Sequence, residues 1–259
     1  MNRLDAICIA TTSQEIDSGY LQRILHDLNQ NEYSNIPLLI FTNNSEYSTN
    51  VLFLNNKTAV FKYTKIVNIN IPKCDDIYQL HNTNGYIPEL GTISGPNIMF
   101  FFIMNFCYKQ QFDTILLLET DCTVKPNMIA VCKQYVRHNN FFISGSKYLG
   151  NASISSKIQN HLNGVAFYKT GSTEFQELIQ NVKAFIKKQV LNMDIIHAYD
   201  VSIFLYLQSL HKHSTFLRLI SKYIQTKLII NFSPRSDMNI PNEEIYSKYP
   251  EHVILHKKL

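Results

Sequence analysis

Asp113-Thr114-Ile115-Leu116-Leu117-Leu118-Glu119-Thr120-Asp121-Cys122 holds four consecutive bulky aliphatic residues bounded by polar ones. An apolar run of this length predicts a strand over 113–118 buried on both faces, the kind found at the centre of a parallel sheet. Two acids separated by one residue stand at its carboxyl end. On an extended segment alternate side chains share a face, so Glu119 and Asp121 point to the same side. Carboxylates held that close repel one another unless a cation or a proton sits between them. Hard oxygen donors suit Mg²⁺ or Mn²⁺, which keep coordination positions for water and for substrate phosphates. Glu-x-Asp alone is a common pattern, and its weight here comes from its place after a buried strand. The competing reading is a solvent-facing acidic turn that caps the next helix, helped by Lys125.

Upstream, Ala6-Ile7-Cys8-Ile9-Ala10 reads as another buried strand, and Thr12-x-x-Glu15 is a capping-box pattern that opens a helix. Leu21, Ile24, Leu25 and Leu28 recur at helical spacing. Pro37 precedes a second apolar run, Leu38-Leu39-Ile40-Phe41, which ends in the turn-forming Thr42-Asn43-Asn44-Ser45. This β-α-β order calls for a right-handed crossover and a parallel sheet. Ile66 to Ile71, which alternates from Val67 onward, predicts a strand with one wetter face, and Pro72 closes it. Residues Asn82 to Gly95 are irregular, and Pro96 suits the first position of an apolar helix over 97–109.

Downstream, Pro126 starts a helix with Met128, Ile129, Val131, Cys132 and Val136 as its apolar residues. Phe141–Gly145 and Val165–Tyr168 read as strands. Thr173-x-x-Gln176 caps a long amphipathic helix, and a further helix runs from Asp200 to Leu210. No internal repeat, low-complexity linker or composition break divides the chain. The expectation is one α/β domain over 1–259, with a mainly parallel central sheet flanked by helices.

Composition agrees. The 259 residues are 45% apolar and 17% charged, with 16 Phe and 15 Tyr, so a packed aromatic-rich interior is expected rather than disorder. The net charge of +4 is unevenly placed: 1–168 carries 12 charges of each sign, and the rest carries 12 basic and 8 acidic residues. So small an excess argues against a nucleic-acid partner but suits a phosphorylated small molecule. The five cysteines form no Cys-x-x-Cys pair, which predicts reduced thiols and a cytoplasmic protein. Met1–Asp5 leads into too short an apolar run for a signal peptide. Ile98–Cys107, interrupted by Asn105, falls short of the ~20 residues of a membrane span.

Ligands of open α/β sheets sit beyond the carboxyl ends of the strands. Thr11, Thr12 and Ser13, then Thr42, Asn43 and Asn44, and then Glu119 and Asp121 are the polar residues at those ends. Gly95-Pro96-Asn97 opens a helix whose free N–H groups suit an anion, or it is a tight turn and helix start with no ligand. Asn163-Gly164 offers an amide and an open backbone to sugar hydroxyls, or it is a type I′ hairpin turn. The seven glycines between 85 and 171, out of eight in the chain, crowd the span where backbone would approach a ligand.

The run Thr114–Cys122 resembles the strand and DxD-type element of nucleotide-sugar-dependent glycosyltransferases with the GT-A fold. Three further segments agree, in order, with a group of bacterial and viral GT-A-like proteins. Glu89–Asn97 resembles the stretch preceding that element, His161–Tyr168 is similar to an "HxNGxxxY" segment, and Val253–Lys258 looks like a closing "hxHxxK" element. The resemblance implies a metal-dependent hexosyl- or related transferase that moves a sugar from a nucleotide-sugar donor to a glycan or other hydroxyl acceptor. About 1–125 would bind the nucleotide, and about 126–259 the donor sugar and acceptor.

By the same resemblance Asp121 is the principal metal ligand, Glu119 meets the metal or the donor ribose, and His256 is a third, distant ligand. An imidazole among carboxylates favours Mn²⁺ over Mg²⁺. Lys257 or Lys258 would neutralise the diphosphate, while Thr11, Thr12 and Ser13, with Asp75 and Asp76 as candidates, would contact base and ribose. Asn97, Asn163 and Gly164 fall on the donor side. Asp200 matches the acceptor-side acid, a general base in an inverting enzyme, or else it is an N-cap. Glu119 departs from the strict Asp-x-Asp form. The rival readings are a nucleotidyltransferase making nucleotide sugars and a non-catalytic nucleotide- or glycan-binding module. The first normally has a basic Gly-rich loop after its first strand, where Thr11-Thr12-Ser13-Gln14 has neither feature.

Overall fold

A computed structural model of the protein describes residues 2–43, 58–77, 87–149, 155–195, 197–232 and 240–257. The expected roles of Asn44, Ser45, Asn82 and Lys258 lie outside the described residues. In chain order the first half contains β1 (Leu4–Thr11), α1 (Ser13–Asp17), α2 (Tyr20–Leu28), β2 (Leu38–Thr42), β3 (Thr64–Asn68), α3 (Ser94–Lys109), β4 (Thr114–Glu119) and β5 (Cys122–Val124). Then follow α4 (Met128–His138), β6 (Ile143–Gly145), β7 (Tyr148–Leu149), β8 (Ala166–Tyr168), α5 (Thr173–Leu191), α6 (Tyr199–Ser209) and α7 (Thr215–Ile220). The chain closes with β9 (Tyr223–Gln225), β10 (Ile229–Phe232), α8 (Asn242–Lys248) and β11 (Ile254–Lys257).

The main sheet has seven strands in the order β3-β2-β1-β4-β8-β6-β9, and β8 alone runs against its neighbours. This is the mainly parallel sheet flanked by helices that the buried strands predicted. Alternation along β1 and β4 divides the core between the two faces. Ile7, Ile9, Leu116 and Leu118 pack with α2 and α4 on one face; Ala6, Cys8, Ile115 and Leu117 pack with α3, α5 and α6 on the other. Each such aliphatic, buried completely, contributes about 1.5–3 kcal/mol. A smaller sheet, in the order β5-β11-β10-β7, joins the chain's end to the segment just after β4. No helix among the described residues is long and apolar enough to cross a membrane.

Several boundaries differ from the sequence expectations for identifiable reasons. The Thr12 capping box forms, but the expected single helix is split: Gly19 adopts φ +80°, ending α1 and starting α2, which buries Leu21, Ile24, Leu25 and Leu28. Ser94, not Pro96 or Asn97, begins α3, so Pro96 lies within the first turn, where its missing N–H is not needed. Ser172, not Thr173, caps α5, accepting from the Phe175 N–H. The strand expected through Ile71 stops at Asn68, and Asn70 turns to φ 57°. Phe141 and Phe142 are buried but precede β6.

Nothing lies within 4 Å of where a Gly19 side chain would begin, so the left-handed backbone alone decides a substitution there. Gly19→Ala is expected to lower stability by about 1 kcal/mol in urea unfolding. A gain of the size seen for Gly→Ala at ordinary backbone positions would contradict this.

Candidate active site

Glu119 ends β4 directly opposite Ala10 of β1, with Thr11 one residue further along. All three therefore sit on the carboxyl edge of the main sheet. The chain then turns through Thr120 and Asp121 and enters β5, which leaves the main sheet and pairs with β11. Register puts His256 opposite Cys122 on one side and Asn231 of β10 on the other. The two acids therefore converge through a turn around His256, not along an extended segment as the spacing suggested.

The Nε2 atom of His256 lies 3.1 Å from Asp121 Oδ1 and 3.2 Å from Glu119 Oε2. His256 is 1% exposed, whereas Asp121 and Glu119 are 20% and 36% exposed, so the cluster opens outward through its carboxylates. On the inner side, Asn231 Nδ2 donates to Ser146 O at 2.6 Å, which turns its amide oxygen to His256 Nδ1 at 2.9 Å. An amide oxygen only accepts, so Nδ1 carries a proton and Nε2 faces the acids. Burial pulls the imidazole pKa down, but the charges of Glu119 and Asp121 outweigh it and hold it at about 10.

The arrangement fits a divalent cation. One ligand atom from each of Glu119, Asp121 and His256 lies within 4.8 Å of the others. Asp121 Oδ1 and His256 Nε2 are buried without an aligned hydrogen-bond partner. Adjacent donors around a six-coordinate ion at ~2.1 Å stand about 3 Å apart, close to the separations found here.

Gly164 abuts this cluster. A side chain there would overlap the Tyr199 hydroxyl and come within 3.3 Å of Glu119 Oε1. Tyr199 stacks on Phe100 with ring centres 3.9 Å apart, and the Tyr168 hydroxyl donates to Gly164 O at 2.9 Å. Burial first, then neighbouring phenols and acids, push both phenols well above their usual range and keep them neutral. Asp200, in the first turn of α6, accepts from the Val201 N–H, and its other oxygen lies 3.8 Å from His161 Nε2. The N-cap is Ala198, so the capping alternative for Asp200 does not hold.

Other expected residues are placed differently. Asn163 is buried, donates to the Tyr148 hydroxyl and accepts from the Val165 N–H, and the segment joins β8 to a part of the chain in another sheet. The hairpin reading of Asn163-Gly164 therefore fails. Asn97 is fully buried and donates to the main-chain oxygens of Leu90 and His197. The start of α3 is covered by its own chain: Gly95 N–H donates to Ile77 O, and a side chain at Gly95 would overlap the Asp76 carboxylate. An anion site there is thus a correction, since an acid already fills the place. Lys257 alternates with His256 along β11, points to the other face and donates to Ile240 O. Thr11 is buried at the edge, Thr12 is engaged with Glu15 in the capping box, and Ser13 begins α1. Asp76 accepts from Asn43 at 2.8 Å, while Asp75 O accepts from Ser94. Sequence reading missed Asn231 and Tyr199; a lone amide inside Ile229-Ile230-Asn231-Phe232 was the available signal for the first.

No protein-family model and no curated protein matches the sequence. Solved structures do. Mouse xyloside xylosyltransferase 1 superposes with a TM-score of 0.55 at 9% identity, covering 97% of each chain. The glycosyltransferase GlyE of Streptococcus pneumoniae gives a TM-score of 0.53 at 10% identity, covering 98% of this chain. The fold is that of GT-A glycosyltransferases. This chain spans 54% of the GlyE structure.

The His256 pKa sets a pH dependence for the metal-free protein. A group raised from ~6.5 unfolded to about 10 folded contributes stability that is complete below pH ~6.5 and is lost as pH rises through about 10. In EDTA, the stability difference between the wild type and His256→Gln should shrink between pH 7 and 10.5, as measured by urea unfolding. A constant or growing difference would contradict it.

Proposed function

We propose that the protein transfers a glycosyl group from a nucleotide-sugar donor to a hydroxyl of a glycan or other acceptor, with a divalent cation, Mn²⁺ ahead of Mg²⁺, held by Glu119, Asp121 and His256. The observation that carries this reading is the convergence of those three donors, within 4.8 Å of one another, on the carboxyl edge of a GT-A sheet. In this fold class that edge is where ligands bind. The named activities of the two similar structures, glycosyltransferase and xylosyltransferase, support the same reaction class.

A bound cation would supply charge neutralisation to the diphosphate as the nucleoside diphosphate departs. The remaining work falls to the chain. Asn231 fixes the tautomer and plane of His256, leaving Nε2 as the donor atom. Thr11, Thr12 and Ser13, at the end of β1, are proposed to line the base and ribose side through main-chain and hydroxyl groups. Gly164 has no side chain, which lets the Tyr199 hydroxyl pack against its backbone beside Glu119, and this main chain is proposed to border the donor sugar. Asp200 is proposed to accept the proton of the acceptor hydroxyl, as an inverting transfer requires. Asn97 and Asn163 support these loops from within. On this reading about 1–125 serves the nucleotide and about 126–259 the sugar and acceptor. The five free cysteines suit a reducing, cytoplasmic setting.

Asp121→Ala should remain folded yet lose metal-stimulated donor hydrolysis or transfer by more than about a hundredfold, given the several kcal/mol a Lewis-acid centre provides. The assay is a screen of UDP- and GDP-sugars with and without Mn²⁺, and metal-stimulated turnover retained by this variant would defeat the reading. Asn231→Ala should weaken Mn²⁺ binding by about 10–100-fold in calorimetry, with the ligands themselves intact.

A further inference from the structure

At the opposite edge of the main sheet, where β1, β2 and β3 begin, lies an open cavity of about 630 Å³. That volume is in the ~300–1,000 Å³ range of small-molecule sites. Six residue steps of β1 at ~3.3 Å each separate its floor at Leu4 from Ala10, opposite Glu119, by about 20 Å, so it is not part of the metal cluster. Its walls carry Arg3, Lys62, Lys133 and Arg137 against a single acid, Asp5.

That acid is already engaged. Asp5 accepts from the Arg3 guanidinium and, at 2.6 Å, from the Asp113 N–H, while Asp113 itself holds the Lys169 ammonium at 2.7 Å. Lys62, Lys133 and Arg137 have no side-chain hydrogen bond or ion pair among the described residues. Cations elsewhere are commonly paired, as Lys187 with Glu89, Arg218 and Lys222 with Glu174, and Lys227 with Glu251. Lys133 and Arg137 stand four residues apart on α4, so they share one helix face, and like charges there repel unless an anion lies between them. Burial also pulls the Lys133 ammonium below its usual range.

A second feature is independent of charge. Just beyond the C-cap of α3, Gln111 takes φ 59°, where glycine costs least, and its side chain lines the cavity. That left-handed turn closes the helix, with Gln111 N–H donating to Tyr108 O and Phe112 N–H to Cys107 O, and it sets Gln111 on the wall of the cavity.

We propose that this cavity is a second binding site, for a compact, multiply charged phosphate compound held by Lys62, Lys133 and Arg137 with Gln111 as a hydrogen-bond partner. α4 carries two of the cations, and the third, Lys62, stands two residues before β3 with its N–H donating to Ile36 O, so binding needs no rearrangement of the sheet. The concave shape favours a discrete small molecule over a flat anionic surface.

Calorimetry of tripolyphosphate against the full chain, in EDTA, tests this. Saturable binding is expected, weakened about tenfold or more by Lys62→Ala and by the double substitution Lys133→Ala/Arg137→Ala, and unchanged in Asp121→Ala. The two cation variants lie in separate parts of the chain, the segment before β3 and α4, so a folding defect in one leaves the other informative. Absence of saturable binding, equal binding by a folded cation variant, or loss of binding in Asp121→Ala would overturn the proposal. So would cosedimentation with phosphatidylglycerol vesicles without tripolyphosphate binding. Because metal is excluded, failure here leaves the transferase reading standing, and failure of that reading leaves this site standing.

Discussion

One buried imidazole, fixed on its inner side by an amide and facing two carboxylates on its outer side, organises the carboxyl edge of the main sheet. His256 is reached only because β11 lies between β5 and β10. The small sheet therefore serves as the device that brings the chain's end to the exit of β4. Its apolar contribution is modest, with Ile230, Ile245 and Leu255 as its own buried cluster. Its pairing register, in contrast, places three chemically matched residues in one row.

The main sheet provides the rigid reference for that row. Both faces of β1 and β4 are covered, and nearly all of their side chains are fully buried. Packing at crystal-like density resists displacement, so the carboxyl edge can hold charges in fixed positions. Three like-minded donors would drift apart on a loop; here Glu119 is the last residue of a strand, and Cys122, just past Asp121, starts another. The aromatic stack of Tyr199 on Phe100 brings the start of α6, and Asp200 with it, to the same side.

Long buried strands were legible in the sequence because burial on both faces writes an unbroken apolar run, as in Ile7–Ile9, Leu38–Phe41 and Ile115–Leu118. The four-stranded sheet was not, since β5, β7, β10 and β11 are two to four residues long and pair across the whole chain. Glu119, Asp121 and His256 were identifiable as residues, but the turn at Thr120 that unites them was not. Lys257 follows the two-residue period of its strand: neighbours face opposite ways, so it stands on the other face of β11 from His256 and donates to Ile240 O. Asn97 and Asn163 illustrate the ambiguity of amides, which suit ligand and backbone partners equally until the fold assigns them.

The Glu119–Asp121–His256 cluster is the proposed cation site on which the transferase reading depends. Anomalous diffraction at the manganese edge, from crystals equilibrated with Mn²⁺ and a nucleoside diphosphate, examines it without reference to turnover. The account predicts one strong peak bonded to Asp121 and His256 with Glu119 alongside, and diphosphate oxygens completing the coordination. A nucleotide bound at the carboxyl edge with no manganese peak between these residues would contradict it.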